Sequence, residues 1–252
     1  MKIDWKSFRT HYTKPQRGQF PVGSRIYKGH QGKGKTLTMV HDALAILEQY
    51  PECAIFSNVK IKGLEPLVWA YDERLDGVHY YRVSGNYRYI EKDDDMKVAL
   101  SLENQDKGVL VLLDEAHLYW QKKDGIPLEV LTCISQQRKD RRKILMSSQI
   151  WEELPISLRK QVKEIVKCNN FFNKYQVNVV FDGETISYSK LESTWVCKKI
   201  YTSVFKHNDY LYNCYDTYQK IITNNDFTPI PYTPPTIPTQ INIIPQKTVK
   251  RF

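Results

Sequence analysis

The sequence has no apolar run approaching the roughly 18–20 residues needed to cross a bilayer. Its first twenty residues are polar and basic (Lys2, Lys6, Arg9, Lys14, Arg17) and lack an apolar signal-peptide centre. Together these absences lead us to expect a cytoplasmic protein with no membrane span. There is no C-x-x-C pair either. The five cysteines (Cys53, Cys133, Cys168, Cys197, Cys214) are odd in number and scattered. That argues against a zinc site and a disulfide framework, and leaves reduced thiols packed as small apolar side chains. No internal repeat is seen.

What remains is a chain of 252 residues, 41% of them hydrophobic, long enough for one α/β domain with extensions. Its formal net charge of +9 favours polyanionic partners, chiefly nucleic acid, over simple solubility. Three parts are expected. Residues 1–22 form a basic arm broken by Pro15, Gly18 and Pro21, residues 23–222 a folded domain, and residues 223–252 an extended tail. From Phe227 that tail carries six prolines and no acidic residue, a composition suited to docking on another protein.

Strand and helix signals alternate through the middle of the chain. A short strand at Ser24–Lys28 precedes a helix at Lys35–Gln49, whose apolar positions Leu37, Val40, Ala43, Leu44 and Leu47 fall at three- and four-residue spacings. Ala54–Ser57 and His79–Val83 read as strands, and Glu91–Leu102 as a helix. The unbroken run Val109–Leu113 has the appearance of a strand buried on both faces. Pro127–Arg138 reads as a helix, Lys143–Ser148 as a strand, Ser157–Val162 as a short helix and Glu164–Cys168 as a strand. This order predicts an α/β fold of the RecA-like P-loop NTPase type, with a mainly parallel central sheet flanked by helices. Gln176–Phe181 and Thr185–Ser189 alternate around Asp182-Gly183, which predicts a C-terminal β-hairpin.

Between the first strand and helix lies Gly29-His30-Gln31-Gly32-Lys33-Gly34-Lys35-Thr36, a complete G-x-x-x-x-G-K-T. The glycines let the backbone curl around phosphate with its amides pointing inward, and the helix that follows aims its positive dipole end at the anion. Lys35 would bridge the β- and γ-phosphates, and the Thr36 hydroxyl would ligate Mg²⁺. Asp114 and Glu115 follow the buried run directly, some 80 residues downstream. An Asp at the end of such a strand holds the Mg²⁺ shell, and a Glu beyond it orients and deprotonates the attacking water. An acidic pair at this point favours hydrolysis, and no guanine-reading N-K-x-D motif is present, so ATP is the expected nucleotide. Asp114-Glu115-Ala116-His117 also spells a helicase signature, but the second domain and arginine motif that such helicases need are missing.

Two further features bear on catalysis. Gln149 stands at the tip of the strand Lys143–Ser148, where a polar side chain would touch the γ-phosphate or the attacking water. Ahead of that strand, Arg138 to Lys143 holds five cations in six residues. These suit an arginine finger reaching a neighbour's ATP, contact with DNA phosphates, or a solvated loop. Arg159 is a weaker alternative.

With these residues in place, the chain resembles the FtsK–HerA superfamily of ring-forming P-loop ATPases. Within it, the chain is similar to phage proteins with a zonula occludens toxin-like domain and to small viral DNA-packaging ATPases. The resemblance spans about residues 22–220. It rests on Gly29–Thr36, Phe56-Ser57-Asn58-Val59, Leu112–Ala116, Gln137-Arg138-Lys139, Ser148-Gln149, Leu158-Arg159 and Tyr215-Asp216-Thr217. It implies an ATP-driven motor that assembles as a ring, favouring a hexamer, and moves DNA, with a trans arginine finger matching Arg138 and Arg141 or Arg142 as near neighbours. Members from filamentous phage carry a membrane-spanning helix after the ATPase domain, and no such helix is expected here. That moves the expectation towards a genome-packaging ATPase acting on double-stranded DNA in the host cytoplasm, with incorporation in the virion and contact to a vertex or portal protein through the tail. The alternatives are a toxin-like morphogenesis or secretion ATPase and a plasmid or chromosome DNA-transfer ATPase.

Overall fold

The structure, a computed structural model, describes residues 19–121, 125–189 and 194–216. The elements begin with β1 (Gly23–Lys28), α1 (Lys35–Gln49), β2 (Ala54–Ser57), β3 (Val68–Arg74), β4 (Gly77–Ser84) and β5 (Tyr87–Tyr89). Next come α2 (Asp93–Ser101), β6 (Leu102–Glu103), β7 (Val109–Leu113), α3 (Leu128–Gln136), β8 (Arg142–Ser148) and α4 (Ile156–Arg159). The described chain closes with β9 (Val162–Phe171), β10 (Tyr175–Asp182), β11 (Ser187–Ser189), β12 (Thr194–Val196), β13 (Lys199–Lys206) and α5 (Asp209–Asn213).

Among the described residues the main sheet runs β13-β10-β9-β1-β8-β7-β2-β5. From β9 to β5 every pairing is parallel, and β10 and β13 add an antiparallel margin. All five residues of β7 are buried, as the unbroken apolar run predicts. One face of the sheet is covered by α1, whose Leu37, Met39, Val40 and Ala43 pack with Ile55, Leu110, Leu112, Leu145 and Val166. The other face carries Phe56, Val111 and Ile144 against Ala99 of α2 and Ile134 of α3. Parallel strands direct their carboxyl ends to one edge, so Lys28, Leu113 and Ser148 deliver the following residues to the same crevice.

Two readings of the sequence are corrected. Gln176–Phe181 does not pair with Thr185–Ser189. β10 pairs with β9 and β13, and β11 pairs with β12. The hairpin turn lies between Phe171 and Tyr175, where Phe172 and Asn173 take the left-handed conformation. Gly183 has a different task. A Cβ there would meet the Val162 carbonyl at 2.1 Å, so the glycine allows close packing on β9 and opens a 3₁₀ turn, Gly183–Thr185. The short helix expected at Ser157–Val162 ends at Arg159, and Val162 already opens β9.

A buried ion network fixes α1 to the strand that precedes it. Arg25 of β1 donates from Nε and Nη2 to both carboxylate oxygens of Glu164 on β9, each at 2.9 Å, and from Nη1 to Asp42 of α1 at 2.8 Å. Lys143 of β8 reaches Glu164 at 3.1 Å, and the Tyr27 hydroxyl donates to Asp42 at 2.7 Å. Burial alone would push the Glu164 carboxyl up, but the Arg25 and Lys143 charges outweigh it and hold it at about 2. Glu164→Gln leaves two cations short of their counter-charge. It is expected to cost about 3–5 kcal/mol of stability, read as a lower urea midpoint at neutral pH. Because the folded pKa is depressed, Glu164 contributes fully above the ordinary carboxylate range. That contribution fades as pH falls towards about 2, so the gap between wild type and variant should close on acidification.

Candidate active site

The loop after β1 leads into α1 through Gly34, at φ 79°. A Cβ on Gly34 would come within 2.2 Å of Gln176 Oε1, so a side chain is excluded there both by the backbone conformation and by space. Gln176, wholly buried on β10, donates from Nε2 to the Lys33 carbonyl at 2.9 Å and holds the loop from a position 143 residues away. Asn170 reaches the Gly32 carbonyl at 3.4 Å. His30, Gln31, Gly32 and Lys33 are exposed, and Lys35 is buried.

The loop and the acids meet in a cleft of about 600 Å³. Gln31, Gly32, Gly34, Lys35 and Thr36 line it, with Asp114, Glu115 and Gln149 across from them. The Thr36 hydroxyl donates to Asp114 Oδ2 at 2.8 Å, and the Ser147 hydroxyl donates to Asp114 Oδ1. Burial pushes the Asp114 carboxyl up, while these two hydroxyls pull it down. Asn58, at the end of β2, clamps the backbone of the same residue, accepting from its amide at 2.7 Å and donating to its carbonyl at 2.9 Å.

Glu115 takes the left-handed conformation, φ 51°, a strain of the kind that clusters at functional sites. Its amide donates to Ser147 Oγ at 2.9 Å. Its Oε1 accepts from Gln149 Nε2 at 2.9 Å and lies 3.7 Å from Lys35 Nζ. Its Oε2 is buried without a hydrogen bond among the described residues, 3.4 Å from His117 Nδ1.

This arrangement fits a triphosphate and Mg²⁺. The loop offers backbone donors and a buried cation, and the paired oxygens of Thr36 and Asp114 suit a hard cation. No cluster of three or more His, Cys, Asp or Glu able to hold a metal exists among the described residues. Mg²⁺ characteristically completes its shell with substrate phosphates and water.

The basic segment divides. Arg138 and Lys139 are exposed on the turn after α3, away from the residues that line the cleft of their own chain. Arg142 is 1% exposed, paired with Asp140 at 2.9 Å and bonded to the Leu102 carbonyl, and Lys143 is held by Glu164. These two cations are therefore structural, which removes Arg142 as a finger and narrows any DNA-contacting loop to Arg138–Arg141. Arg159 is 7% exposed, its guanidinium 5.9 Å from the Trp151 ring centre.

Sequence reading missed Ser147, Gln176, His207 and Tyr212, and marked Asn58 without giving it a task. Serine at the penultimate position of β8 was the available signal, since β8 lies between the loop strand and the acid strand. Nothing local marks Gln176.

A parallel sheet carrying this loop and an acidic pair at its carboxyl edge defines a RecA-like P-loop nucleoside triphosphatase. Residues 25–217 match the family model described as zonular occludens toxin (Zot), and the chain belongs to that family. No curated protein matches it. Among solved structures it is similar to the N-terminal domain of zonular occludens toxin from Neisseria meningitidis, at 19% identity over 77% of this chain and 99% of that one, with a TM-score of 0.50. It is also similar to the genome packaging NTPase B204 from Sulfolobus turreted icosahedral virus 2 in complex with ATP-gammaS. There the identity is 12% over 70% of this chain and 97% of that one, with a TM-score of 0.44. No helix among the described residues is long and apolar enough to cross a membrane.

Proposed function

We propose that the protein is an ATP hydrolase of phage assembly that works as a homo-oligomeric ring, hexameric by preference, and moves double-stranded DNA in genome packaging. The observation that carries this reading is the cleft in which Glu115 meets Lys35 and Gln149 and which the Asp114–Thr36 pair also lines. The amides of Gly29–Thr36 would cradle the phosphates and Lys35 would hold their charge. Thr36 and Asp114 would hold Mg²⁺, which when bound neutralises phosphate charge. Glu115 orients and deprotonates water, and Gln149 fixes the carboxylate while facing the same space. Arg138 would reach the cleft of a neighbouring subunit. The net charge of +9 supports a polyanionic substrate. In this reading the protein acts in the host cytoplasm, joins the virion, and meets a vertex or portal protein through residues 223–252.

Family membership favours a second reading, a morphogenesis or secretion ATPase acting on coat or partner proteins at a membrane. ATPase assays with double-stranded DNA, single-stranded DNA, membranes with coat protein and no addition, alongside native mass measurement, separate the two. The packaging reading predicts a ring mass and stimulation by double-stranded DNA. Stimulation by membranes and coat protein but not by DNA gives the second reading, and no hydrolysis under any condition overturns both.

A further inference from the structure

The cleft has a second end that the hydrolytic groups do not use. After β13 the chain turns at His207 and runs through α5 to Tyr215, which bridges to Ile61 beyond β2. It thus passes from the antiparallel margin of the sheet over α1 to the far side, and leaves His207, Tyr212, Tyr215 and Asp216 on the cleft wall. Tyr212 is 38% exposed, an aromatic ring presented to a cleft that Val59, Leu118 and Tyr215 also line.

Its position is fixed from below. The Tyr212 hydroxyl lies 2.8 Å from His207 Nδ1, and the two rings meet edge to face with centroids 5.7 Å apart. His207 Nε2 lies 3.4 Å from Gln176 Oε1. The Gln176 amide nitrogen faces two acceptors, the Lys33 carbonyl at 2.9 Å and Asn178 Oδ1 at 3.0 Å, so its oxygen must accept. A proton on His207 Nε2 would complete the series, with Nδ1 accepting from Tyr212. Burial lowers the His207 pKa against a backbone hydrogen bond at Asn173 that raises it, which favours the neutral ring. A continuous series of hydrogen bonds thus ties Tyr212 to the backbone of the phosphate loop.

Three phosphates need only the loop end of a cleft this size, which matches the roughly 300–1,000 Å³ of small-molecule sites. We infer that Tyr212 is the stacking surface for the nucleobase, with His207 and Gln176 as positioning residues that hold it at a fixed place relative to Gly32–Lys35. Stacking reads a ring face and is tolerant of which base supplies it. The site would then take nucleoside triphosphates over inorganic polyphosphate without strong choice among bases. This inference rests on the proposed phosphate site.

The test is the binding of Mg-ATP and of Mg-tripolyphosphate to the full chain, measured by calorimetry, for wild type, Tyr212→Ala, Tyr212→Phe and Lys35→Ala. Tyr212→Ala should weaken ATP by about 10-fold relative to tripolyphosphate, and Tyr212→Phe, which keeps the ring but loses the bond to His207, should recover only part of that loss. Lys35→Ala should weaken both ligands. If Tyr212→Ala binds ATP as wild type does while Lys35→Ala does not, the stacking role is wrong and the phosphate site stands. If Tyr212→Ala weakens both ligands equally, Tyr212 only supports the loop and the inference fails. If the wild type binds neither ligand, the phosphate site itself is wrong and the inference falls with it.

Discussion

Glu115→Gln should lower ATP turnover by about 10²–10⁴-fold, the worth of a positioned general base, while ATP binding persists. The reason is geometric as well as chemical. Gln keeps the length of the side chain and can still accept from Gln149 Nε2, now 2.9 Å from Oε1. It removes the group able to take a proton from water. It also removes the negative charge 3.7 Å from Lys35, so affinity for the triphosphate should hold or rise. Single-turnover kinetics beside equilibrium binding separate these effects. Unchanged turnover would take the base away from Glu115 and turn attention to His117, 3.4 Å from its Oε2.

The second large effect is expected at Arg138. A trans arginine offsets charge that develops on the transferring phosphoryl group and is worth about 10³–10⁵ in rate. Arg138→Ala should therefore reduce hydrolysis by about 10³-fold or more in assembled rings, and have little effect on ATP binding. Arg138 stands exposed on the turn after α3, where it serves no contact with the cleft of its own chain. Mixing separates this role from a local one. Glu115→Gln subunits keep their arginine and Arg138→Ala subunits keep their base, so the mixture should regain activity that neither has alone. Absence of rescue, with rescue of an Arg141→Ala protein under the same conditions, would place the finger at Arg141. Arg142 does not enter the comparison, because its guanidinium is buried against Asp140 and the Leu102 carbonyl.

What could be read in advance was local. The phosphate loop announces itself because glycine spacing, lysine and threonine lie within eight consecutive residues. The strand Val109–Leu113 and the acids after it are equally compact, and a strand buried on both faces leaves an unbroken apolar run. The helix Lys35–Gln49 follows from its apolar spacing. The failures share one cause, which is distance along the chain. Asp182-Gly183 carries the signal of a tight turn, yet the glycine is there because Val162, some twenty residues earlier, lies against it. The actual turn uses Phe172 and Asn173, where asparagine tolerates the left-handed conformation but Phe172 gives no turn signal. Gln176 sits among alternating strand residues and looks like any polar position on an exposed face. Only the sheet order brings it beneath Lys33.

The charged segment Arg138–Lys143 illustrates the same point in energetic terms. Composition alone treats its five cations as one patch. Burial divides them, because Arg142 and Lys143 open β8 and each is buried beside a carboxylate that offsets part of the cost of desolvation. Lys143 then belongs to the network with Glu164 and Arg25 that ties α1 to β1.

A structure of the Glu115→Gln protein with ATP and Mg²⁺ tests the central claim most directly. The account predicts the triphosphate within the curl of Gly29–Thr36, with Lys35 at its terminal phosphates and the metal between Thr36 and Asp114. A nucleotide bound elsewhere, or one held at the loop with residue 115 and Asp114 turned away from its phosphates, would contradict it.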